Sequence, residues 1–495
     1  MSKVWLVGAG PGDPELITLK AKRLLEAADV VLYDHLASTS LLAFAPDSAE
    51  LIYVGKKKSD HALSQEQICE LLVDRGRREL NVVRLKGGDP FMFGRGGEEA
   101  EALSDAGLPF EVVPGVTSPL GIAAYTGVPL THRDRTSVVT FVTGHDVAKI
   151  DWAKVGGSET LVVFMGLSQF DEIAARIVAG GRAASTPAMA VRWGTRPDQA
   201  VLTGTLATLP ELIRAHGMKP PATIIVGDVV GLRGKLSWFE KLPLFGQRIV
   251  VTRAKDRADS LSAPLRQLGA EVVELPTIEI QPARDYAALD AAIQRLGEYD
   301  WLIFTSVNGV RCFLERLDLA GTVDLRSIRG KLCAIGPATR DALERFHLKV
   351  DVMAQEYVAE GLLRALSGFD LNGAKVLIAR AAVARDILPD ELRRRGAAVD
   401  VVEAYRTGAP ADLAARAALV LQSKIDWIAF TSSSTANNLI AACGAEVLKA
   451  VRVASIGPVT SATLRDAGVE VTVEASPHTV PGLVSAILMA GIIEE

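Results

Sequence analysis

The chain has 495 residues, 49% of them apolar and 23% charged, with a formal net charge of −5. Such a length exceeds one ordinary core and, at about 150 residues per domain, suggests three or four. The acidic balance argues against a general nucleic-acid binder, which needs a basic face to displace counterions, and no apolar run reaches the roughly 18 to 20 residues of a membrane span. The N-terminus runs straight into a strand without a signal peptide's apolar segment, so the expected location is the cytoplasm.

Val4 to Val7 reads as a short buried strand, and Gly8-Ala9-Gly10-Pro11-Gly12-Asp13-Pro14 turns it into a helix. Asp13 is expected as the N-cap and Pro14 at the first helical position, with Leu16, Leu19, Leu24 and Leu25 forming an apolar face. The spacing invites a dinucleotide-binding reading with Asp34 as the ribose acid, and that reading fails on detail. Asp13 stands where the third glycine belongs, Pro11 removes an amide that would face a pyrophosphate, and a carboxylate there would repel it.

The stretch Arg84 to Glu99 joins the strand-like Asn81-Val82-Val83 to a helical run from Glu98 to Ala106. Its five glycines in sixteen residues let backbone amides approach a ligand, while Asp89 offers a short carboxylate and Arg84, Lys86 and Arg95 offer positive charge. Taken alone, its glycine content is better accounted for by a plain strand-to-helix turn. Strands over Ser137–Val142, Glu159–Phe164, Pro187–Trp193 and Ala222–Val229 alternate with helical stretches. They suggest a second α/β lobe beginning near Gly115 and a ligand cleft between the lobes.

Cys69, Cys312, Cys333 and Cys443 are widely spaced in apolar settings, which predicts buried reduced thiols. His132 and His145 lie near candidate site loops but lack the partner spacing of a metal site.

The motifs Val7-Gly8-Ala9-Gly10-Pro11-Gly12-Asp13-Pro14, Tyr33-Asp34-His35-Leu36, Val54-Gly55-Lys56, Gly87-Gly88-Asp89-Pro90, Gly94-Arg95-Gly96-Gly97-Glu98-Glu99, Pro114-Gly115-Val116-Thr117-Ser118 and Pro129-Leu130-Thr131-His132-Arg133 occur in this order. With them, residues 1 to about 240 resemble the tetrapyrrole methylase family, and within it the uroporphyrinogen-III C-methyltransferases. The resemblance implies a two-lobed fold, with lobes of about 1–114 and 115–240. It also implies S-adenosylmethionine as methyl donor, released as S-adenosylhomocysteine, with no metal. By resemblance, Pro11, Gly87, Gly88, Asp89, Met92, Thr117, Ser118, Met165 and Gly194 line the cofactor cleft, Asp34 is the base and Lys56 the acid. Taken singly, Met165 reads as core, Gly194 as a turn, Asp34 as a strand-end turn residue and Lys56 as part of a solvated charge run. A carboxylate-rich uroporphyrinogen calls for a rim of cations, and Arg84, Lys86, Arg95, Arg133 and Arg135 join Lys56 as candidates.

A punctuated, apolar segment from Gly231 to Gly246 reads as a docked linker, with residues 241–247 as its core, and a new strand starts at Arg248. From there the chain repeats itself. Arg248–Arg253 returns as Lys375–Arg380, Leu265–Ala270 as Leu392–Ala397, Asp300–Ser306 as Asp426–Ser432, and Ile335–Pro337 as Ile456–Pro458. Two similar α/β units with mostly parallel sheets are expected to follow one another over 248–495. The loops at Thr305-Ser306 and Thr431-Ser432, and those at Gly336-Pro337 and Gly457-Pro458, end strands and start helices, whose N-termini suit carboxylates.

Through these strand ends and Val401-Val402-Glu403-Ala404-Tyr405-Arg406-Thr407, residues 247 to 490 resemble the uroporphyrinogen-III synthase family. The resemblance implies that Tyr405 helps the hydroxyl leave from hydroxymethylbilane and that Thr460 contacts substrate. Thr305, Ser306, Thr431 and Ser432 are substrate candidates through their helix starts, where ordinary capping also accounts for them. Tyr405 could equally just end a strand. The whole is then an α/β fusion whose second half makes uroporphyrinogen III and whose first half methylates it twice. The rival reading is a methyltransferase carrying a two-lobed tetrapyrrole sensor. The expected partners are these tetrapyrroles and a second copy of the methyltransferase half, with no nucleic acid and no membrane.

Overall fold

The computed structural model describes residues 3–55, 63–254 and 258–492. It divides into two compact units, Met1–Arg248 with Pro264–Val272 and Leu488–Glu495, and Ile249–Ala263 with Val273–Ile487.

The first unit opens with a sheet of β1 (Val4–Gly8), β2 (Val30–Tyr33), β3 (Glu50–Tyr53), β4 (Val82–Lys86) and β5 (Phe110–Val113) in the order β3-β2-β4-β1-β5, every pairing parallel. Helices cover both faces, which is why strands such as Val30-Val31-Leu32 are apolar at every position. The helices that position the site are α1 (Leu19–Glu26), α2 (Gln65–Arg77), α3 (Gly96–Asp105) and α4 (Ser118–Thr126). The first starts later than its sequence suggests. Asp13 caps only a three-residue turn at Pro14–Leu16, and Thr18 caps α1 by accepting from the Ala21 N–H. Leu19 then falls on the outer face, 88% exposed, while Leu25 is buried.

The second lobe is a mixed sheet of β6 (Val139–Thr143), β7 (Thr160–Phe164), β8 (Pro187–Arg192), β9 (Ala200–Thr205) and β10 (Ala222–Val226), ordered β6-β7-β10-β8-β9. Only β6 and β7 run parallel. The strand β9 is absent from the sequence reading. It is an edge strand with no buried residue, so its pattern carries no core signal. Trp238 and Phe239, in the punctuated segment that follows, stack against Tyr125 of α4 at centroid distances of 5.2 and 4.7 Å.

In the second half, β11 (Arg248–Val251) and β12 (Glu271–Glu274) share a sheet with β19 (Trp427–Phe430), β20 (Arg452–Ser455) and β21 (Val473–Glu474). The other sheet holds β13 (Glu279–Gln281), β14 (Trp301–Phe304), β15 (Lys331–Ala334), β16 (Val352–Met353), β17 (Lys375–Ala381) and β18 (Ala398–Gly408). Apart from β13 against β18, the pairings in these sheets described residue by residue are parallel. The two repeats do not fold one after the other. Ile249 of the first pairs with Trp427 of the second, and Trp301 of the first with Val376 of the second. Each sheet thus sets the opening strand of one repeat beside the Trp-bearing strand of the other. Self-similarity predicts which strands are equivalent but not which will pair, because both copies present the same apolar edge.

Candidate active sites

Three loops at the C-terminal ends of β1, β4 and β5 meet backbone to backbone. Gly10 and Gly88 exchange hydrogen bonds, 3.2 Å from Gly10 N to Gly88 O and 2.7 Å in return, and the Gly115 N–H donates to Asp89 Oδ2 at 3.0 Å. A Cβ at Gly8 would lie 2.5 Å from Gly115 Cα and 2.7 Å from Gly88 O, so main chain fills the space a side chain would need. Asp89 also accepts from the Phe91 N–H, and its carboxylate therefore ties the loops together. The turn after β2 packs here too, since a Cβ at Gly87 would meet Leu36 Cβ at 2.6 Å.

The second lobe adds its own loops. Thr195, after β8, accepts from the Asp13 N–H at 2.9 Å, and Trp193 stands edge-on to His35 at 6.0 Å. Gly194 is packed against Ile122 of α4, and Pro11 against Gly121. Met165 follows β7 and is 53% exposed, so it lies outside the core its sequence context suggests. Its φ of +51° joins those of Phe93, Arg95, Trp193 and Thr195, five of the seven positive-φ non-glycine residues among those described. Strain of this kind collects at ligand sites. Met92 packs on the second lobe's core, Thr117 is buried, and Ser118 opens α4.

Asp34 sits just beyond β2, its side chain 22% exposed. Its Oδ1 accepts from the Leu36 N–H at 3.0 Å and its Oδ2 from Arg84 Nη2 at 3.0 Å. Lys56 lies outside the described residues. Two of the predicted rim cations are not on a rim. Arg84 and Lys86 belong to β4, are each 4% exposed, and both pair with Glu99 of α3, at 3.2 and 2.6 Å. The apolar period of a strand buried on both faces cannot be told from a strand-end loop when charged residues interrupt it. Arg95, paired with Glu98 at 2.9 Å, and Arg133 and Arg135, on a turn bridged from His132 to Thr136, are exposed.

In the second half, Tyr405 lies within β18 and not at its end, and is buried. Its hydroxyl is 3.0 Å from Ser306 Oγ, and Ser306 caps the helix Val307–Ala320 by accepting from the Gly309 N–H. Ser432 caps Ser433–Cys443 in the same way, with a capping box to Thr435, and Thr431 precedes it. Thr460 is buried in the first turn of Pro458–Asp466, so its expected contact with substrate is not to an open face. Thr305 lines a cavity of about 180 Å³ near the C-terminal ends of β14 and β17, with Tyr357, Arg380 and Arg385, none of them singled out as site residues by the sequence. All four cysteines are unpaired, and only Cys333 is buried, its thiol pushed up to about 12 by desolvation.

Residues 3–210 match the model of the tetrapyrrole (corrin/porphyrin) methylases and residues 259–485 that of uroporphyrinogen-III synthase. A porphyrin biosynthesis protein HemD from Ruminiclostridium josui is 36% identical over 99% of this chain and 98% of its own length. The chain belongs to both families, one in each half. It is a bifunctional enzyme of tetrapyrrole biosynthesis. A siroheme synthase from Pseudomonas entomophila is 54% identical over 48% of this chain, which spans about half (52%) of that relative's length. A uroporphyrin-III C-methyl transferase structure from Thermus thermophilus, complexed with S-adenosyl homocysteine, is 43% identical, covers 47% of this chain and all of its own, and has a TM-score of 0.41.

The methylase loops fit a sulfonium donor. Around Pro11, Gly87–Asp89 and Thr117–Ser118 they offer backbone groups, hydroxyls and the carboxylates of Asp13 and Asp89, with no cation in those segments to hold a phosphate. Glu99, Thr195 and Gly115 are the pieces without an assigned role in the sequence. Glu99 and Gly115 both stand in the methylase motifs, Glu99 as the second acid after a glycine pair. Among the described residues no group of His, Cys, Asp and Glu is placed to hold a metal ion, and no helix is long and apolar enough to cross a membrane.

Proposed function

We propose that the second unit closes hydroxymethylbilane to uroporphyrinogen III, inverting the last ring, and that the first unit transfers two methyl groups to that product, giving precorrin-2. The observation that carries the reading is the convergence of loops from both lobes of the first unit on the turn that holds Asp34.

S-adenosylmethionine, when bound, supplies an electrophilic methyl group. The chain orients the electron-rich pyrrole carbon toward it, and positioning of this kind supplies most of the rate. Asp34 accepts the proton lost from the neighbouring bridge carbon. Its two oxygens are fixed by Leu36 and Arg84, while its partial exposure leaves room for substrate, and general-base help of this sort adds about a hundredfold or more. Arg95, Arg133 and Arg135 meet substrate carboxylates. Lys56 remains the expected acid.

In the synthase half, Tyr405 donates to the departing hydroxyl, and Ser306 holds the phenol in place. A phenol is a weak acid by its chemistry, so shaping the flexible chain outweighs proton donation. The starts of the helices at Val307 and Ser433 present N–H groups to the acidic side chains. The enzyme works in the cytoplasm and pairs through its methyltransferase half, which a monomeric sedimentation profile would reject.

The test gives the full chain hydroxymethylbilane and S-adenosylmethionine and reads ring isomer and methyl count by mass spectrometry. The type III ring with two added methyl groups is expected. Type I product at the spontaneous rate would make the second unit a tetrapyrrole sensor, and no methyl transfer to added uroporphyrinogen III would reject the first assignment.

A further inference from the structure

Behind Asp34 runs a line of alternating charges. Arg84 Nη2 donates to Asp34, Arg84 Nε to Glu99 Oε1 at 3.2 Å, and Lys86 Nζ to the same Glu99 oxygen at 2.6 Å. The side chains of Arg84, Glu99 and Lys86 are 4, 0 and 5% exposed, against 22% for Asp34, so the line opens to solvent only at the Asp34 end. Glu99 Oε2 accepts no hydrogen bond among the described residues although it is fully buried. Neighbouring positions of β4 are Val82, Val83 and Leu85, and replacing a buried ion group by apolar residues is commonly neutral or stabilising. Stability alone therefore gives no reason for two cations and a half-satisfied carboxylate at this place. Their visible effect is to fix the Arg84 guanidinium through Nε, while Nη1 donates to the Leu85 carbonyl and Nη2 is presented to Asp34.

We infer that Glu99 is a positioning residue for methyl transfer: it holds Arg84 against Asp34 and, with Lys86, sets the net charge that Asp34 experiences. The inference rests on the reading of Asp34 as proton acceptor. With all four groups charged the line is neutral. Among the described residues, Glu98 on α3, Cys69 on α2 and Tyr53 on β3 also face it. Burial, and then Arg84, pulls the Lys86 ammonium below its ordinary range, and the Glu99 carboxylate opposes that pull.

The test measures the pH dependence of kcat for methyl transfer from S-adenosylmethionine to uroporphyrinogen III by the full chain, with synthase turnover of the same sample as the folding control. Glu99→Gln leaves one uncompensated positive charge, so the acid limb should move down by about one pH unit and the plateau should fall about tenfold with little change in KM. Lys86→Met leaves a negative excess and should move the limb up. The pair Glu99→Gln with Lys86→Met restores neutrality and should return the limb toward its original position. If Glu99→Gln does not fold, the opposite shift in Lys86→Met and its reversal in the double variant carry the same decision. Unmoved limbs, or losses that the double variant fails to reverse, would overturn the inference. Asp34→Asn separates the two levels: retained methyl transfer removes the acceptor reading itself, whereas a dead Asp34→Asn with unmoved limbs elsewhere removes only the role of Glu99.

Discussion

Gly8→Ala should separate the two activities of this chain. The new Cβ would stand 2.5 Å from both Gly115 Cα and Gly115 N, where side-chain carbons essentially never come under 3.0 Å, so the loops must part by at least half an ångström. Every obstructing atom is main chain, and no rotamer change relieves the clash. Overpacking of this kind costs about 1 to 3 kcal/mol. At about 1.4 kcal/mol per factor of ten, and with the strain falling on the loops proposed to hold the donor, affinity for S-adenosylhomocysteine should drop about 5- to 150-fold. Gly97→Ala is the matched control, because nothing lies within 4 Å of its Cβ, and alanine in α3 should stabilise the helix by up to about 1 kcal/mol. Calorimetric titration reads the affinity, and synthase turnover of the same sample reports that the rest of the chain is folded. Undiminished affinity in Gly8→Ala, or an equal loss in Gly97→Ala, would refute the idea that backbone contact shapes the site.

Asp34→Asn should lower methyl transfer about a hundredfold or more with synthase turnover unchanged, measured by methyl incorporation and ring closure in one reaction. Tyr405→Phe should slow cyclisation more than it raises KM. In a double-mutant cycle with Ser306→Ala, a coupling of about 0.5 to 1.5 kcal/mol is expected from their 3.0 Å contact, and strict additivity would deny that the contact matters. Lys20 and Lys3 hold the Glu111 carboxyl down from 4.5 to about 2. A depressed carboxyl stabilises the fold above its unfolded pKa, and this support drains away as pH falls from 4.5 toward 2. Glu111→Gln should therefore melt about 1–3 °C below the parent near pH 6, a small gap because the pair is partly exposed, and the gap should close near pH 2.

Much of the fold was legible in the chain because strands buried on both faces read as unbroken apolar runs and because glycine and proline mark the turns between them. Pro11 and the Gly87-Gly88-Asp89 turn could be placed at strand ends from local pattern, as could the four strand-end loops of the second half, whereas Thr117 and Ser118 came only through the family resemblance. What spacing could not reveal was which of those loops touch. That Gly8, Gly88 and Gly115 share one point depends on β1 lying between β4 and β5, and sheet order is written in long-range pairing, which local pattern does not encode. The exchange of strands between the two repeats was hidden for the same reason, since equal apolar edges make either partner acceptable locally. The fate of charge was decided last. Arg84 and Lys86 carry the residue types of a substrate rim, yet β4 buries them against a carboxylate from another element. The energy of a charged side chain is set by what surrounds it in space, and only the folded arrangement supplies that.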